Sequence, residues 1–87
     1  MTRYVALIDG EPGAYGITFP DLPGCTAMGR TIDEVMRHAM AAADDWAQGA
    51  RMPRPRSLAA VCDDPDVQQA LAGGAVLAMV PLVFDSD

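Results

Sequence analysis

The sequence predicts an α+β domain of order β-β-β-α-(α)-β, with a mixed four-stranded sheet in the order 3-2-1-4 and one long helix packed on it. Three observations carry this. Tyr15, Ile17 and Phe19 alternate with Gly16 and Thr18 before a Pro20-Asp21-Leu22-Pro23-Gly24 corner. Thr31-Ile32-Asp33-Glu34 opens a stripe of apolar residues at helical spacing. A last apolar run, Ala75 to Phe84, follows a pair of glycines. Period two marks a strand, and spacings of three and four mark a helix with one buried face.

Arg3 to Asp9 is the first strand, and the stretch Gly10 to Gly13 returns the chain antiparallel into a second strand over residues 14–19. Pro20 ends that ladder. Pro20 and Pro23 fix φ and lack a donor, and Gly24 can take the positive φ of a tight turn, so the corner is stiff. Cys25 to Gly29 is a short third strand.

Thr31 to Glu34 reads as a capping box: the Thr31 hydroxyl accepts from the Glu34 amide, and the Glu34 side chain returns to the Thr31 amide. The helix it opens has a stripe of Ile32, Val35, Met36, Ala39, Ala42, Ala43 and Trp46, and Gly49 is placed to be its left-handed stop. The small alanines let it approach the sheet closely, with Trp46 anchoring its far end. Residues 51–56 (Arg-Met-Pro-Arg-Pro-Arg) form a solvated connector that the prolines keep out of a helix. Ser57 caps a short helix through Cys62, and Asp64-Pro65 starts another that stops at Gly73-Gly74. Pro81 near the end of the last strand predicts an edge position or a loss of pairing there. After an up, down, up meander and a descending helix, a right-handed crossover predicts a fourth strand parallel to the first.

Residues Tyr15 to Phe19, the Pro20 to Cys25 turn, and Gly29 to Glu34 opening a helix with Ala39, Ala42 and Trp46 together resemble the HicB-like antitoxins, which pair with and silence a ribonuclease toxin. The resemblance runs on through Pro53 and Pro55 to the last strand. It implies a partial ribonuclease-H-like fold and a non-enzymatic protein that binds and occludes a small basic HicA-type toxin. Many members of that family continue into a DNA-binding module; residues 1–87 are expected to form a single domain without one.

Length and composition set limits of their own. A chain of 87 residues buries about 60% of its unfolded surface, so a partner or a second copy would help it. With 12 acids against 6 arginines and a net charge of -6, the surface repels phosphate backbones, and direct nucleic-acid binding is not expected. A basic protein partner suits it better. No apolar run spans a bilayer and the N-terminus has no signal pattern, so a soluble, cytoplasmic protein is expected. Cys25 and Cys62 read as reduced, half-buried thiols, with no ligand spacing for zinc.

Candidate chemistry is sparse, and no cofactor, metal or catalytic residue is expected. A parallel fourth strand would bring Asp9, Glu34 and Asp85 to one sheet edge, where clustered carboxylates can hold magnesium for phosphodiester cleavage. Glu34, however, already has a capping role, and Asp9 borders a turn. His38 lies on the polar helix face with no nucleophile tied to it, so it reads as solvated. The toxins partnered by the resembled family use a catalytic histidine of their own, a role that does not transfer to His38. Asp63, Asp64 and Asp66 read as caps and first-turn charges, and Arg54 and Arg56 as parts of a solvated loop.

Asp44 and Asp45 occupy the last turn of the long helix, where the dipole disfavours carboxylates by about 0.3–1 kcal/mol each. Either Arg37 or Arg51 compensates them, or a cationic partner does. The rim carboxylates Asp21, Asp33, Glu34, Asp44 and Asp45 are the expected partner-binding set, with Asp21 free at its corner, while Tyr15, Phe19, Leu22 and Trp46 are structural. A stand-alone protein- or ligand-binding module without a toxin and a metal-dependent ribonuclease-H-like nuclease are the alternative functions. In the first strand Tyr4, Ala6 and Ile8 face one way and Val5 and Leu7 the other, so both sheet faces are apolar and both need cover. Residues 57–72, a second copy or a partner must cover the face opposite the helix, and self-association as a dimer or higher is expected.

Overall fold

The computed structural model describes residues 2–49 and 51–82. Strands β1 (Thr2–Glu11), β2 (Ala14–Thr18) and β3 (Thr26–Gly29) form an antiparallel meander, followed by helices α1 (Ile32–Gly49), α2 (Leu58–Cys62) and α3 (Pro65–Ala72) and strand β4 (Val76–Leu82). The sheet order is β3-β2-β1-β4, as the sequence predicts. The expected continuation of the last strand to Phe84 lies outside the described residues.

The direction of β4 differs from the prediction. It pairs antiparallel with β1, Leu82 opposite Thr2 and Val76 opposite Ile8, so the sheet is antiparallel throughout. The reason lies in the path between α1 and β4. A parallel crossover counts α1 as the whole return, but residues 51–72 form a second layer on the opposite face and carry the chain back along the sheet before β4 begins.

Two cores result. Tyr4, Ala6, Ile8, Ile17, Val80 and Leu82 pack on Val35, Ala39 and Ala43 of α1. Val5 and Leu7 pack on Val61 of α2 and Val67 of α3. Of the three covers left open for the second face, residues 57–72 take the part over β1. β1 is therefore buried on both sides from Tyr4 to Ile8.

The proline corner is a pair of successive turns. The Leu22 amide donates to the Phe19 carbonyl at 3.1 Å and the Cys25 amide to the Leu22 carbonyl at 2.9 Å. Pro23 and Gly24, with φ +84°, fit the second and third positions of a type II turn. The double turn points Leu22 back into the core, where it is fully buried. At the other end of α1's span, Trp46 Nε1 donates to the Pro23 carbonyl at 3.0 Å and anchors the helix as expected.

The capping box forms with one shift. The Glu34 amide donates to Thr31 Oγ1 at 3.1 Å, but the Glu34 carboxylate accepts from the Arg30 amide at 2.9 Å, not from Thr31. Gly29 brings the end of β3 so close to the first turn of α1 that Arg30 is the amide within reach. A Cβ on Gly29 would stand 2.5 Å from the Val35 nitrogen. Gly49 does not act as a left-handed stop, since its φ is not positive; Gly74, at φ +108°, fills that role after α3.

Gly29→Ala is expected to destabilise the fold by about 1–3 kcal/mol, because backbone rather than a flexible side chain must yield. Urea unfolding of the variant measures this, and Gly24→Ala is the comparison, strained by its positive φ but with open space around the added methyl.

Candidate functional site

The five rim carboxylates separate into two groups. Asp33 and Glu34 lie in the first turn of α1, and Asp44 and Asp45 lie about one turn before its end at Gly49. The eleven-residue steps from Asp33 to Asp44 and from Glu34 to Asp45 are about three helical turns, so each pair shares an azimuth about 16 Å apart on the outer face of α1. Asp33, Asp44 and Asp45 are exposed, and Glu34 is half-buried by its cap. The ion pairs among the described residues are both made by Arg56, so neither Arg37 nor Arg51 compensates Asp44 or Asp45. Four carboxylates thus form an acidic ridge.

Asp21 is different, and the expectation that it is free is corrected. Its carboxylate accepts from the Arg56 amide at 2.8 Å and from Arg56 Nε at 2.6 Å, and its side chain is 8% exposed. The same guanidinium reaches Asp64 Oδ2 at 3.3 Å, while Asp64 Oδ1 caps α3 through the Asp66 amide at 2.9 Å. One arginine joins the proline corner to the second helical layer. A nearby tie reinforces it, the Tyr4 hydroxyl donating to the Pro53 carbonyl. Burial first, and the Asp21 charge second, raise the Tyr4 phenol above its ordinary value and keep that proton in place. The connector is therefore packed and fastened, with Met52, Pro53 and Pro55 half-buried. Nothing in the spacing of Asp21 and Arg56 announces this contact in the sequence.

His38 Nδ1 lies 2.6 Å from the Met28 carbonyl oxygen, which can only accept, so Nδ1 is the donor. The residue is exposed but tied to the edge of β3 rather than merely solvated. Cys25 is buried and Cys62 half-buried, both free, and burial pushes the Cys25 thiol up, away from thiolate chemistry. The proposed gathering of Asp9, Glu34 and Asp85 loses its premise, because antiparallel pairing puts Leu82 at the Thr2 end of β1, away from Asp9; Asp85 itself lies outside the described residues. Among the described residues no group of three or more His, Cys, Asp or Glu side chains is placed to hold a metal ion. A shallow groove of about 310 Å³ between β1, β2 and α3 is lined by Leu7, Phe19, Val67 and Asp66. No helix of the described residues is long and apolar enough to cross a membrane.

The elements thus define a small four-stranded α/β/α sandwich with an acidic face on its long helix. The model for the HicB-like antitoxin of bacterial toxin-antitoxin systems matches residues 4–84, and the chain belongs to that family. Solved structures share its fold. A chain of the HicA3 and HicB3 toxin-antitoxin complex superposes with a TM-score of 0.73 at 23% identity, covering 94% of this chain and 99% of that one. The N-terminal domain of the Burkholderia pseudomallei antitoxin HicB gives 0.72 at 21% identity, covering 95% of this chain and 100% of that one. The chain spans 65% of the longer B. pseudomallei HicB structure, at a TM-score of 0.71 and 22% identity over 99% of this chain. Among curated proteins there is no match.

Glu34 and Asp64 both titrate below the ordinary carboxylate value, Glu34 chiefly through the Arg30 amide and Asp64 chiefly through the Asp66 amide. The unfolded chain takes up protons first, so their stabilisation is complete above the unfolded value of about 4 and is lost as pH falls through the lower folded values. The thermal midpoint should drop on acidification below about pH 4, and Glu34→Gln, which keeps an acceptor but cannot titrate, should flatten part of that drop. Arg56→Ala should lower the midpoint and speed amide exchange in α2 and α3 while β1 and β2 stay protected.

Proposed function

We propose that this chain binds a small basic ribonuclease toxin of the HicA type and occludes its active site, contributing no reacting group of its own. The acidic ridge on α1 carries the proposal. Its exposed carboxylates make no internal ion pair among the described residues, and Asp44 and Asp45 lie within about a turn of the negative end of the helix, where a cationic neighbour is favoured. A basic partner supplies that neighbour, and complementary fields accelerate the encounter. Family membership supports the reading, as does the solved complex of a relative with a HicA toxin, which is a property of that relative.

Asp33, Asp44 and Asp45 are the steering residues in this account. Glu34 contributes charge while serving as a cap, and Asp21 acts indirectly, by holding the scaffold through Arg56. Occlusion needs no metal, cofactor or proton transfer from this chain, only a surface that keeps RNA out of the toxin's site.

Co-expression with a HicA-type toxin encoded beside this gene is the test: the pair should co-purify and growth should be restored. The combined Asp33→Asn, Asp44→Asn and Asp45→Asn variant should slow association about tenfold or more at low salt, with the difference shrinking as salt rises. Rescue of growth without co-purification, or an association rate indifferent to the three substitutions, would count against the proposal.

A further inference from the structure

We infer that the open edge of β4 seats a second copy of this chain, paired antiparallel about a two-fold axis at Ala78. The two edges of the sheet are unlike. On the β3 side, the Phe19 amide donates to the Cys25 carbonyl at 3.3 Å, which turns the odd-numbered residues of β3 towards β2 and leaves Met28 facing out. That outward carbonyl is taken by His38. The edge is short and blunted, in the way sheets avoid unwanted pairing.

The β4 edge has no such cover among the described residues. Closure of the β1–β2 hairpin at Glu11 and Ala14 gives the odd residues of β1 to β2 and the even ones to β4. The pairs Tyr4–Val80 and Ala6–Ala78 then turn the even residues of β4 inward, so Leu77, Met79 and Pro81 present their backbone outward. Pro81 has no amide to offer, and the Ala75 amide already donates to the Ala70 carbonyl at 3.0 Å. Among the described residues, the free donors of this edge are Leu77 and Met79. Centred on Ala78, a two-fold axis sets the Leu77 amide and carbonyl against those of the second copy's Met79, and the reverse, leaving neither donor unused.

The side chains agree with that register. Leu77 and Met79, 37% and 43% exposed, lie on the α3 side of the sheet and would face each other across the axis. Val76, 54% exposed, would meet the second copy's Val80 on the α1 side. Apolar cross-strand pairs of this kind stabilise a sheet. β4 carries no charge, so two chains of net charge -6 meet there with the least repulsion. A basic partner would gain nothing electrostatic from this stretch, which is why the occupant is assigned as a second copy. The contact is small, and association in the micromolar range is expected.

Light scattering on the 87-residue chain over a concentration series, together with amide exchange, tests this. The mass should rise from 9.2 kDa towards twice that value, and the Leu77 and Met79 amides should slow with concentration while the Met28 amide does not. Met79→Lys should weaken association by about tenfold or more with an unchanged circular dichroism spectrum, and Met28→Lys should leave it intact. A 9.2 kDa species throughout, with exchange at Leu77 and Met79 indifferent to concentration, overturns the inference. So does a dimer that survives Met79→Lys.

Discussion

The whole architecture follows from one strand that is apolar on both faces. From Tyr4 to Ile8 every residue of β1 is buried, with Tyr4, Ala6 and Ile8 in one core and Val5 and Leu7 in the other. Each aliphatic side chain left in water would forfeit about 1.5–3 kcal/mol, so neither face can stay open. A single helix covers one face. The chain must therefore build a second layer, and the path it takes to do so decides on which end of the sheet β4 starts and hence which way it runs.

The second layer is thin, and that makes its fastenings matter. α2 and α3 are 5 and 8 residues long, too short to persist as helices on their own. Few buried apolar side chains hold them, Val61 and Val67 foremost. What positions them is polar: the Tyr4 hydroxyl on the Pro53 carbonyl, and Arg56 shared between Asp21 and Asp64. The rigid proline corner acquires a purpose beyond turning the chain, because it holds Asp21 at the point where the second layer must be tied. A region that depends on a few partly exposed contacts is also where local opening costs least.

Local rules made most of the fold legible. Strand alternation, the Thr31 capping box and the glycine pair at Gly73-Gly74 each depend on neighbours in sequence, and each element stands where those rules put it. The direction of β4 did not depend on neighbours. Its apolar residues suit a parallel or an antiparallel partner equally well, and the difference lay in how far residues 51–72 carry the chain. The same limit hid the Asp21–Arg56 contact, which joins residues 35 apart, and made Asp21 look free. The acidic ridge was legible because it is periodic on a single helix, whereas the absence of close ion pairs to its carboxylates among the described residues emerged only once the arginines had been placed.

Charge divides the surface into parts with different uses. The outer face of α1 carries its carboxylates on the side of the helix turned away from the sheet, and the neutral edge of β4 lies at the end of the sheet order, away from β3, against which the helix chiefly packs. In the proposed reading a basic toxin meets the first and a second copy the second, so the two contacts do not compete for the same atoms. They also respond oppositely to salt. Screening weakens the attraction between the acidic ridge and a cation-rich partner, but it relieves the repulsion between two chains of net charge -6. Self-pairing and toxin capture are thus separable by ionic strength alone, because one rests on charge and the other on backbone hydrogen bonds and apolar contact made in spite of it.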